Sequence, residues 1–193
     1  WVHTGIGAGD AALALLWALP VIASAAGLVY VVTQTPSYPD LSTNVNNPPA
    51  FEMLANQSDG AEPLPLDAAS PAERIRIQLA YPDITTVYIE RPGWHLAEVL
   101  SALVRTENWR LARLDTDNGL EFEAEISMPG PLLLVSHDVA IRIVDDGEGS
   151  TIDVRSLSNM PMHDFGTNGR LLGGLVQQLV RTIDETPPPA SDL

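Results

Sequence analysis

The chain has 193 residues with 25 acidic and 10 basic side chains, a net charge of −15, and all the basic residues are arginine. That field repels phosphate backbones and anionic lipid surfaces, and the absence of lysine excludes Schiff-base and P-loop lysine chemistry. With no cysteine there are no disulfides, thiolate metal sites or Cys nucleophile, while 45% hydrophobic residues suffice to bury a core.

Residues 1–10 form an N-terminal flank, and 11–32, AALALLWALPVIASAAGLVYVV, run without a charge. At 1.5 Å per residue this stretch predicts one transmembrane helix, with Pro20 as a tolerated kink. Ser24, Ala25, Ala26 and Gly27 give a small-residue stripe of the kind that lets helices approach closely, and Tyr30 suits an interface. Ala14, Ala18, Ala23 and Gly27 are the positions expected to meet partner helices. No Lys or Arg precedes Arg74, unlike the basic start of a signal peptide, and a chain opening on Trp1 predicts an upstream segment.

Residues 33–73, rich in Pro, Asn, Ser and Asp, read as an extended linker lying along a surface or a partner. An α+β domain is expected over 74–184, followed by a disordered tail, 185–193. TTVYIE (85–90) predicts a strand, and Leu96, Val99, Leu100, Leu103 and Val104 mark one face of a helix over 95–108. Strands follow at 109–116 and 120–127 around Asp117-Asn118-Gly119. Alternation in the second of these turns Glu121, Glu123 and Glu125 to solvent. A second hairpin turns at 146–149, and Leu171, Leu172, Leu175, Val176, Leu179, Val180 and Ile183 predict a helix over 169–184. The order β-α-β-β-β-β-α is best satisfied by an antiparallel sheet with two helices on one face.

DVRSLSNMPMHDFGTNGR (153–170) gathers the most polar residues. It is expected to be a structural corner built from Asp138, Arg142, Asp153, Arg155, Asp164 and Asn168, in which Asp153, Arg155 and Arg142 share the polar face, with a half-buried Asp–Arg pair and with Asn168 as N-cap of the last helix. A hydrolase using His163 oriented by Asp164 or Asp138 lacks an evident nucleophile. No histidines stand at metal-ligand spacing, Gly5-Ile6-Gly7-Ala8-Gly9 follows no strand, and His-Asp-Phe-Gly comes without the other parts of a kinase site. No catalytic residue, metal site or cofactor is expected.

Residues 136–170 carry Asp138-Val139, Val154-Arg155-Ser156-Leu157-Ser158, Asp164-Phe165-Gly166-Thr167-Asn168 and Arg170. In these blocks the chain resembles the bacterial and plastid family known as domain of unknown function 1499. DLSTNVNNPPAF (40–51) is similar to the entry segment of those members that carry membrane helices before the domain. Asn159 and Pro161 depart from the Arg and Gly common in the family. The resemblance implies an architecture and a membrane setting, and no reaction. The functions expected are, first, a non-catalytic, membrane-anchored accessory or scaffold subunit of a larger membrane complex, respiratory or photosynthetic. It would contact integral membrane subunits through 11–32 and the linker, contact lipids, bind no nucleic acid, and hold its domain in the periplasm. The alternative is a module for a lipid or small apolar ligand.

Overall fold

The computed structural model describes residues 7–54, 65–117, 119–130, 136–159 and 164–188. Contacts divide the chain after Pro36 into two units. The first contains α1 (Ala8–Gln34), 27 residues long with Pro20 inside it. Its section Leu16–Gln34 is long and apolar enough to cross a membrane. Ser24 and Thr33 return their hydroxyl protons to the carbonyls of Pro20 and Val29, at 2.7 and 2.9 Å, so neither side chain presents an unpaired donor to an apolar surrounding.

The second unit is an α+β domain around a six-stranded antiparallel sheet. Its elements are β1 (Asp40–Ser42), α2 (Pro71–Ala80), β2 (Val87–Ile89), α3 (Gly93–Thr106), β3 (Arg110–Asp117), β4 (Glu121–Pro129), β5 (Ser136–Asp145), β6 (Ser150–Ser158) and α4 (Thr167–Glu185). The expected β-α-β-β-β-β-α series is present from β2 onward, and β1 and α2 come before it. The order across the sheet is β1-β6-β5-β4-β3. β2 and β1 share the outer edge of β6, Val87 opposite Ile152 and Leu41 opposite Ser156.

Period-two alternation separates the two faces. Phe122, Ala124 and Ile126 of β4 stand beside Ile143, Ile141 and Val139 of β5, and Ile143 and Ile141 beside Ile152 and Val154 of β6. This face packs with Leu96, Val99, Leu100 and Leu103 of α3 and with Leu172, Leu175, Leu179 and Ile183 of α4 in one buried cluster. The N-terminus of α3 is closed from the sheet: the Asp145 carboxylate accepts the Gly93 N–H at 2.7 Å, supplying negative charge where helix dipoles favour it. α2 forms because Ser70 and Glu73 cap it reciprocally ahead of Pro71. The hydrogen bonds from Ser70 hold the exposed Glu73 carboxyl below its ordinary pKa. Ile77 joins α2 to the core.

Gly149 ends the β5–β6 turn against β2. A Cβ at this position would stand 2.6 Å from the Ile89 carbonyl oxygen and 2.6 Å from the Tyr88 hydroxyl. The backbone of β2 cannot give way without loosening its pairing with β6. Gly149→Ala is therefore expected to lower stability by about 1–3 kcal/mol, read as a lower urea midpoint at unchanged slope.

The linker expected over 33–73 is corrected in part. Leu41, Val45 and Leu66 are core residues, and the compact unit begins at Ser37. The described residues after β1, up to Leu54 and again around Leu66, lie on the polar face of the sheet as a strap. Proline and asparagine gave it the composition of a linker because, outside the three-residue ladder of β1, much of its described backbone is held by side chains from elsewhere.

Candidate functional site

The strap is fastened by charged side chains on the sheet face turned away from α3 and α4. Arg155 of β6 is 1% exposed and Asp40 of β1 is 2% exposed. Two guanidinium nitrogens donate to the two Asp40 oxygens, Nε to Oδ1 at 2.9 Å and Nη2 to Oδ2 at 2.8 Å. Nη1 donates to the Pro49 carbonyl at 3.1 Å and meets Asp67 at 3.1 Å, while the Phe51 ring lies 5.4 Å from the guanidinium carbon. Burial opposes the charge on Arg155, but its hydrogen bonds and ion pairs with Asp40 and Asp67 outweigh that and raise its pKa. Asp40 Oδ2 also accepts the Leu66 N–H at 2.9 Å, joining both ends of the strap to one ion pair.

The other fastenings follow the same pattern. Arg142 reaches Asp153 at 2.8 Å across the β5–β6 pair and gives a second proton to the Asn47 carbonyl at 2.8 Å. Asp153 also receives hydrogen bonds from Asn44 and Thr86. Glu125 is 1% exposed. Its carboxylate collects the backbone N–H groups of Glu52, Met53 and Leu54 at 2.8 to 3.0 Å, so its expected place on a solvent face is corrected. Alternation placed Glu125 on the right face of the sheet, and the strap covers that face.

The second half of the corner is centred on Asn168. Its Oδ1 accepts from Ser156 Oγ at 2.7 Å and lies 3.3 Å from His137 Nδ1. Its Nδ2 donates toward the carbonyls of Tyr38, Pro39 and Ser156 at 2.9 to 3.1 Å. Asn168 is thus not the N-cap. α4 starts at Thr167 behind Gly166, whose φ of +69° is left-handed, and the buried Asp164 carboxylate receives the N–H groups of Gly166 and Asn168 at 3.1 and 3.0 Å. Asp138 accepts from Asn159 Nδ2 at 3.1 Å on the outer side.

Asp153 and Arg155 share a face but do not pair with each other. Each takes another partner, Arg142 and Asp40. Asp40, His137, Ser156 and Glu125 were missed as members of the corner, and the one local signal for Asp40 was its place in the entry segment DLSTNVNNPPAF. His163 lies outside the described residues. Ala14, Ala18, Ala23 and Gly27 lie on α1, in the other unit.

Burial lowers the His137 pKa, with the Asn168 hydrogen bond and the charges of Asp164 and Asp138 partly opposing it. The unfolded chain therefore takes up this proton first, and stability is lost as pH falls from about 6.5 toward the lower folded value. Urea midpoints are expected to drop between about pH 7 and pH 5, and His137→Gln is expected to flatten that slope. An unchanged slope would assign the pH dependence to the carboxylates.

A separate, open groove of about 640 Å³ lies where α3 overhangs β3 and β4, lined among others by Trp94, Ala97, Ala102, Leu114, Phe122 and Thr186. Among the described residues no group of His, Asp and Glu side chains is placed to hold a metal ion.

An antiparallel sheet strapped on its polar face, helices on the other, and an apolar helix ahead of both define an α+β domain with a candidate membrane span. The chain belongs to the family described as proteins of unknown function, DUF1499, whose model matches residues 40–179. The match begins at Asp40, so the strap is part of the family domain. No curated protein matches the sequence.

Proposed function

We propose that this chain is a non-catalytic, membrane-anchored accessory subunit of a larger membrane complex. In this reading α1 meets integral partner helices and the domain lies on the periplasmic side. The observation that carries it is α1: its 27 residues bear no charge after Asp10, and small side chains at Ala14, Ala18, Ala23 and Gly27 suit close helix approach. The polar corner supports it too, because Arg155, Asp153, Asp164 and Asn168 point inward and bind the strap and α4. Asp164 in particular is engaged by backbone N–H groups, which weakens a hydrolase reading with His163. A respiratory or photosynthetic assembly is the host proposed. Purification from native membranes in mild detergent is expected to give one large species with fixed partners on native electrophoresis. Deleting residues 1–34 is expected to abolish that association while the domain keeps its circular dichroism. Migration of the full chain alone would overturn the reading.

The groove beneath α3 favours a second reading, a site for a lipid or other small apolar ligand, because its volume lies in the range of ligand pockets. Organic extraction of the pure protein is then expected to release a stoichiometric apolar compound, and a clean extract counts against it.

A further inference from the structure

Among the described residues β3 has a neighbour on one side only, β4. Its other edge leaves main-chain donors and acceptors open to one more strand. The strand reads Arg110-Leu-Ala-Arg-Leu-Asp-Thr-Asp117, a basic half followed by an acidic half. Its register skips Ala112, since Leu111 stands opposite Ile126 and Arg113 opposite Glu125. This irregularity puts register positions 110, 113, 115 and 117 on the strap face and 111, 114 and 116 on the helix face. Leu111 and Leu114 are 43% and 45% exposed.

An antiparallel second copy of β3, centred on Leu114 and passing over Ala112 in the same way, matches this pattern. Arg113 then stands opposite Asp115, Arg110 opposite Asp117, Leu111 opposite Thr116, and Leu114 opposite its own counterpart. Other centres that keep like faces together bring like charges into register: centring on Arg113 or Asp115 opposes each to itself, and centring on Leu111 or Thr116 opposes Arg110 to Arg113 or Asp115 to Asp117. A slip by one residue turns the leucines onto the polar face. Only the Leu114 centre is free of both faults. We propose that two copies of this chain associate through antiparallel pairing of β3 about a two-fold axis at Leu114, making one continuous sheet across the pair. Arg113 is already paired with Glu52, Asp115 and Glu123 of its own copy at 2.9 to 3.0 Å, so the Arg110–Asp117 pairing selects the register, and the main-chain bonds and leucines hold it. The net charge of −15 on each copy opposes the encounter, so association strengthens as salt screens it.

The full chain in mild detergent tests this, because it contains no cysteine. Directly opposed residues lie about 4.5–5.5 Å apart, within disulfide reach, so L114C is expected to form a covalent dimer on mild oxidation. T116C alone is not, since the two copies of position 116 stand about 13 Å apart, whereas L111C with T116C is. Sedimentation is expected to show a dimer that tightens with salt, that Arg110→Asp weakens at least about tenfold, and that adding Asp117→Arg restores. A single copy at every salt concentration overturns the proposal. So does T116C cross-linking as readily as L114C, or a dimer indifferent to Arg110→Asp whose L114C form stays uncrosslinked, for that dimer is made elsewhere.

Discussion

Arg155→Ala is expected to lower the stability of the domain by roughly 3–5 kcal/mol, a large share of the roughly 5–15 kcal/mol that holds an ordinary domain folded. The substitution leaves the Asp40 carboxylate buried with the Leu66 N–H as its remaining short hydrogen bond. It also removes the donor to the Pro49 carbonyl and the cation beside Phe51. An uncompensated buried charge costs more than the pair was worth, so replacing both partners by apolar residues, Asp40→Leu with Arg155→Met, is expected to recover most of the loss. Arg155→Lys should fall between: one ammonium cannot span both Asp40 oxygens, the Pro49 carbonyl and Asp67 as the planar guanidinium does. Urea titration of the full chain in detergent, followed through tryptophan near-UV signals, measures all three variants. A loss of less than about 1 kcal/mol for Arg155→Ala would show that the strap is held by other means.

Asn168→Asp is expected to be worse than Asn168→Ala, an order that burial and shape alone would reverse. Alanine empties one small site and leaves the Ser156 hydroxyl and the carbonyls of Tyr38 and Pro39 without this partner, at about 2–4 kcal/mol in all. Aspartate fills the space but turns an oxygen toward three carbonyls that now receive N–H protons, and it introduces a buried charge. Both variants should also shift the titration of His137, whose Nδ1 lies 3.3 Å from the Asn168 oxygen, and nuclear magnetic resonance of the ring reads that directly. Equal stability for the two variants would mean that the carboxamide's donors contribute nothing.

The sheet was legible because its signals are local. β3 and β4 follow from alternation around Asp117-Asn118-Gly119, β5 and β6 from alternation around 146–149, and α3 and α4 from apolar residues at helical spacing. The α1 helix followed from an uncharged run, which needs no partner to be recognised. The strap was not legible, because its partners are remote: Arg155 and Asp40 are separated by 115 positions, and nothing in either neighbourhood names the other. The same limit left open which partners the polar residues of the corner take. Asp153 and Arg155 do share a face, but β1 lies beside β6 and supplies the nearer carboxylate. Glu125 shows the converse: its face was read correctly, and its cover came from residues 52–54. The capping box at Ser70 and Glu73 was a local signal for α2 that the proline-rich surroundings concealed.

The lock between Asp40 and Arg155 also sets an order of events during synthesis. Asp40 leaves the ribosome 115 residues ahead of its partner, a delay of roughly 6–23 s at ordinary elongation rates. Throughout that interval Leu41 and Val45 have no finished core to enter, because β6 and α4 are still to come. The first part of the domain to be made is thus among the last to be secured, and the newborn chain depends for that time on whatever shields its leading segment.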